Sequence, residues 1–140
     1  MTRVDFHSNI NDKLSYTCRL IRKARAADRR VVVLCPPEQI NALDAALWTF
    51  SDFDFLPHVM ATDPLAADTP IILAANADDV VPHHDILINL TMQTPTNFAR
   101  FERLFEIVAT STDDVASGRE RYRFYQQRGY PLTHAVAEKS

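Results

Sequence analysis

The chain has 140 residues, of which 46% are hydrophobic and 24% charged, and its formal net charge at pH 7 is −3. That length suits one compact domain spanning residues 1–140, and the composition argues against both a disordered chain and a membrane protein, since its longest apolar runs, "RVVVLCPP" and "TPIILAANA", are far too short to cross a bilayer. The slight acidity rules out general nucleic-acid affinity carried by bulk charge, so any recognition of an acidic partner must be local.

In chain order, "RVDFH" alternates as a strand does, and Asp12 stands as an N-cap before "KLSYTCRLIRKARAADR". Leu14, Cys18, Leu20, Ile21 and Arg25 give that segment an amphipathic helical stripe, with basic residues toward its C-terminal end, where the helix dipole favours them. "RVVVLC" is nearly all apolar, the mark of a strand covered on both faces. Pro36 and Pro37 break the chain, and helical spacing resumes through Ile40, Leu43, Ala46 and Leu47. "SDFDFLPHV" reads as an aromatic-rich loop; "IILAA" and "DILINLT" read as strands, "TNFARFERL" as a short helix and "FEIVAT" as the last strand. Thr112 or Asp113 is expected to cap the final helix, and "THAVAEKS" to be a frayed tail.

Apolar strands alternating with helices predict a three-layer α/β domain with a largely parallel central sheet flanked by helices. The fold is Rossmann-like without a nucleotide-binding loop. The two glycines, Gly118 and Gly129, lie near the C-terminus, whereas "HSNINDK" fills the first strand-to-helix connection, where phosphates usually need glycines. No cofactor is therefore expected. His83, His84 and Asp85 fit no metal-ligand spacing, and Ser8, Ser15 and Ser51 lack a nucleophile-elbow context. Cys18 and Cys35 are expected as buried free thiols rather than a disulfide. The polar opening "MTRVDFHSNINDK" is unlike a secretory signal, so a cytoplasmic location is the expectation.

Two stretches could bind partners. "GRERYRFYQQRGY" sets four arginines among aromatics, with Arg119, Tyr122, Arg123 and Gln126 on one side of a helix and Arg121, Phe124, Tyr125 and Arg128 on another. Arginine beside an aromatic platform suits a carboxylate next to an apolar side chain. From residue types alone, a C-terminal helix with packed tyrosines and solvated arginines is the simpler account. The second stretch, "LWTFSDFDFLPH", gathers Trp48, Phe50, Phe53 and Phe55, which form either an interface or part of the core. Competing functions on the same sheet are a nucleotide-binding regulator or enzyme, and a direct binder of single-stranded DNA that uses the arginines and tyrosines for stacking.

Taken together, "ALDAALW" with "FLPH", then "HHDILINL", then "RERYRFYQQRGY" resemble the chi subunit family of the bacterial DNA polymerase III holoenzyme, along essentially the whole chain. The resemblance implies a non-enzymatic adaptor of the clamp loader. Its partners would be the psi subunit and the acidic C-terminal tail of single-stranded DNA-binding protein, which ends in phenylalanine preceded by Asp-Ile-Pro; contact with DNA would be indirect. Arg119 and Tyr122 fall where the family's tail-binding helix has an arginine and a tyrosine, and Arg123 replaces a lysine. Val115 stands where the family can carry a basic residue, which places more of the tail's grip on Arg119, Arg121 and Arg123. Trp48 and Phe55 match aromatic positions of the psi interface, with Phe53, Pro57 and His58 alongside.

Overall fold

A computed structural model describes residues 1–50 and 56–137. It contains β1 (Arg3–Ile10), α1 (Lys13–Ala26), β2 (Val31–Leu34), α2 (Ile40–Thr49), β3 (His58–Met60), β4 (Ile71–Ala74), β5 (Ile86–Asn89), β6 (Arg103–Ala109), α3 (Thr112–Gln127) and β7 (Leu132–Val136). The strands form one sheet in the order β3-β4-β2-β5-β6-β1-β7, with every pairing parallel. The expected three-layer α/β architecture is therefore present, and the sheet is wholly parallel among the described residues.

β2, β4 and β5 are buried at every position because they lie inside the sheet with both faces covered. One face packs against α1 and α2 through Ile21, Leu43 and Leu47, which meet Val31, Val33 and Ile71. The other packs against α3 through Tyr125, which joins Phe6, Val32, Ile72 and Leu104. Cys18 and Cys35 are free and buried, and burial foremost pushes each thiol up to about 11.

Local chemistry sets the helix ends. Asp12 caps α1, its Oδ1 accepting from the backbone of Leu14 and Ser15 at 3.1 and 3.2 Å. The cap of α3 is Ser111, not Thr112 or Asp113; its Oγ accepts from Asp114 N at 3.3 Å. Asp114 instead turns inward to receive Ala109 N and the Lys13 ammonium, the latter at 3.0 Å. Gly129, at φ 77°, supplies the left-handed residue just beyond α3 that lets the chain turn back into β7.

The sequence reading differs from the structure at three elements. His58–Met60 is a short edge strand rather than loop, since His58 lies beside Ile71 in the sheet. The expected helix in "TNFARFERL" shrinks to a single 3-10 turn, Phe98–Arg100, because Phe98 and Phe101 are both drawn into the core and β6 already begins at Arg103. The expected frayed tail "THAVAEKS" instead supplies four of the five residues of β7, which pairs with β1 from Val4↔Leu132 to Ser8↔Val136. Side chains reinforce that pairing: Thr133 donates to Asp5, Ser8 Oγ lies 2.7 Å from His134 Nε2, and Asn9 Nδ2 donates to Ala137 O at 2.7 Å.

One polar cluster is wholly internal. Glu106, midway along β6, accepts from Asn89 Nδ2 at 2.9 Å, Arg121 Nε at 3.1 Å and Tyr125 Oη at 2.6 Å. Burial foremost raises the Glu106 carboxyl above its ordinary value, against the pull of the Arg121 guanidinium, and it raises the Tyr125 hydroxyl as well. Removing one member of a buried ion pair leaves the other charged and unsatisfied, at a cost of about 3–5 kcal/mol. Arg121→Ala is accordingly expected to lower unfolding free energy by about that amount in urea titration; a loss under about 1 kcal/mol, the worth of an exposed pair, would contradict the network.

Candidate functional site

α3 lies close to the sheet because Gly118 carries no side chain. A Cβ there would sit 2.9 Å from Val108 Cγ2, closer than such contacts allow. The inward side of the helix is fixed by Arg121 and Tyr125, one turn apart, which engage Glu106. An aromatic cluster extends that anchorage: Phe98 meets Tyr125 and Tyr130 edge-on, with centroids 5.1 and 5.0 Å apart.

On the flank of α3 that overlooks β1 and β7 is a groove of about 690 Å³. Val115, Arg119, Tyr122, Arg123 and Gln126 form its helical wall, Phe6, Ser8 and Val108 its floor, and His134 and Val136 its far side. Tyr122 is half-buried, its ring edge-on to Phe6 at 5.1 Å. Arg119 and Arg123 are exposed and form no ion pair among the described residues. The groove can thus offer an apolar surface under two available guanidinium groups, a combination suited to a carboxylate attached to an apolar group.

Four of the five residues named for tail binding meet here: Arg119, Tyr122, Arg123 and Val115. Arg121 does not, and its assignment is corrected. Only 3% exposed, it lies on the inward side of α3, paired with Glu106 and donating to Ser117 Oγ. The contributions of β1 and β7 were missed because "LTHAV" is short and has no polar–apolar alternation; its β-branched Thr133 and Val136 were the available signal.

A separate surface lies at the end of α2. Trp48 is 53% exposed while Leu43 and Leu47 on the same helix point inward. Its ring rests on His58, centroids 4.4 Å apart, and His58 is itself buried, with Nδ1 2.7 Å from Leu56 O and Nε2 2.8 Å from Asp44 Oδ1. Pro57 is half-buried beside it. Phe53 and Phe55 lie outside the described residues.

Elsewhere the suggestive polar residues have structural partners. His83 Nε2 bonds Thr69 O at 2.6 Å, the His84 ring contacts Phe101, and Asp85 accepts from Arg30 N at 2.9 Å. Among the described residues no three His, Cys, Asp or Glu side chains are grouped to hold a metal, and no helix is long and apolar enough to cross a membrane. At the carboxyl ends of the strands Lys13 is engaged by Asp114 and Leu90 O.

Fold and surface together define a three-layer α/β protein with a cation-rimmed apolar groove beside its last helix. Residues 1–133 match the family model described as "DNA polymerase III chi subunit, HolC", and the chain belongs to that family. Three relatives are each named DNA polymerase III subunit chi. The protein from Pseudomonas aeruginosa is 35% identical over 94% of both chains. That from Escherichia coli is 27% identical over 85% of this chain and 82% of its own, and that from Haemophilus influenzae 25% identical over 83% and 81%.

Because Trp48 stands outside the core, Trp48→Ala is expected to cost no more than about 1 kcal/mol of stability by thermal or urea unfolding. A cost above about 3 kcal/mol, typical of emptying a core aromatic site, would contradict its placement.

Proposed function

We propose that this protein is a non-catalytic accessory subunit of the replicative polymerase's clamp-loader assembly. In this reading it bridges a psi subunit and the acidic C-terminal tail of single-stranded DNA-binding protein. The observation that carries the tail assignment is the α3 groove, with its apolar floor and with Arg119 and Arg123 both available at its rim. A tail ending in Asp-Ile-Pro-Phe would lay its phenylalanine ring against Val115, Tyr122 and Val136 and its terminal carboxylate under the guanidinium groups. Charge-assisted bonds of that kind are stronger than neutral ones, and at an exposed rim they weaken with salt. Exposed Trp48, braced by His58, supports the second half of the reading, as an anchor for psi.

Arg119→Ala is expected to weaken binding of an acidic peptide ending in Asp-Ile-Pro-Phe by about 1.5–3 kcal/mol with the melting temperature unchanged, and amidating the peptide's terminus to do at least as much. Calorimetry or fluorescence anisotropy checks both. Equal binding of free-acid and amidated peptides would overturn the groove assignment, and unchanged affinity in Arg119→Ala would move the site elsewhere.

A further inference from the structure

β7 is an exposed edge, and successive side chains along β1 and β7 point to opposite faces of the sheet. Ser8, His134 and Val136 line the α3 groove. Asp5, His7, Thr133 and Ala135 line a second groove of about 450 Å³ on the other face, beside α1.

The floor of this α1 groove is apolar: Leu20, Ala24 and Ala27 from the α1 side, Phe105 from β6 and Ala135 from β7. Its rim carries four cations, Arg3, Lys23, Arg29 and Arg103, against the single carboxylate of Asp5. Arg29 is paired with Glu102, and Arg103 Nη2 lies 2.6 Å from Asp5 Oδ2. Arg3 and Lys23 are exposed and form no ion pair among the described residues. Arg103 Nε is buried and has no acceptor among the described residues.

Asp5 is ionised and offsets one of these charges, that of Arg103. Burial works to raise its carboxyl, but hydrogen bonds from Thr133 and Arg103, with the nearby charges of Arg103 and Arg3, hold it below the ordinary carboxylate range. Both of its oxygens are thereby engaged, one by each donor.

We propose that the α1 groove is a second binding site for an acidic peptide, taking an apolar side chain next to a carboxylate. The choice of occupant rests on the reading of the α3 groove given above and on charge complementarity. Arg3 and Lys23 attract an anion, and the alanines at 24, 27 and 135 leave room for an apolar group. A phosphodiester would satisfy the cations but leave that apolar floor uncovered. With a groove on each face of the same two strands, one chain would hold two peptide tails at once, and tails tethered to a common partner would bind with the added strength of effective concentration.

Titration calorimetry of the intact protein with an acidic peptide ending in Asp-Ile-Pro-Phe tests the proposal. Two peptides per chain are expected. Arg119→Ala weakens one site, whereas the double variant Arg3→Gln/Lys23→Gln, or separately Ala135→Leu, weakens the other by about tenfold or more while the protein stays folded. One peptide per chain, sensitive to Arg119→Ala and indifferent to the double variant, overturns the second site and leaves the first standing. One peptide sensitive only to Arg3 and Lys23 supports this groove and overturns the α3 assignment. Absence of any peptide binding overturns both. Binding of oligothymidylate that the double variant abolishes, with no second peptide bound, overturns the proposal in favour of a nucleic-acid site.

Discussion

The orientation of α3 depends on one buried carboxylate. Glu106 has no exposed surface, and it receives a guanidinium N–H, a phenol O–H and an amide N–H from α3 and β5. Arg121 and Tyr125 are one helical turn apart, so engaging both fixes the rotation of the helix about its axis. A rotated α3 would leave Glu106 buried without its countercharge and bring other arginines toward the core. Apolar residues of similar volume could hold the layers together as firmly; the polar cluster selects which side of α3 faces out. That choice turns Arg119, Tyr122 and Arg123 toward the groove.

Beyond α3, the groove is completed by β7, whose only strand neighbour among the described residues is β1. Gly129 permits the reversal that brings it back, and Thr133, His134 and Ala137 tie it to Asp5, Ser8 and Asn9. A single edge strand thereby shapes the surface on both faces of the sheet. The opposite edge is different in kind: β3 is only three residues long, and its His58 supports the exposed ring of Trp48.

The central fold was legible because buried parallel strands write themselves as apolar runs: "VVVL", "IILA" and "ILIN" could hardly be anything else. Edge strands leave no such trace, since half their bonding is to solvent, and so His58–Met60 and Leu132–Val136 passed for loop and tail. Helical spacing correctly grouped Arg119, Tyr122, Arg123 and Gln126, but it could not tell which arginine had an internal partner. Glu106 sits in "FEIVAT", where its neighbours make it look like a chance charge in a strand; only the sheet places it under Arg121. Ser111 was overlooked as a cap because Thr112 and Asp113 are equally good capping residues by type.

Arginine side-chain NMR during titration with the acidic peptide tests most directly whether α3 divides its arginines between core and groove. The account predicts that the Nε–H resonances of Arg119 and Arg123 shift on binding, while that of Arg121 stays in place and resists solvent exchange in both states. Movement of the Arg121 resonance with Arg119 and Arg123 unaffected would contradict it, because the internal pair would then be the binding element.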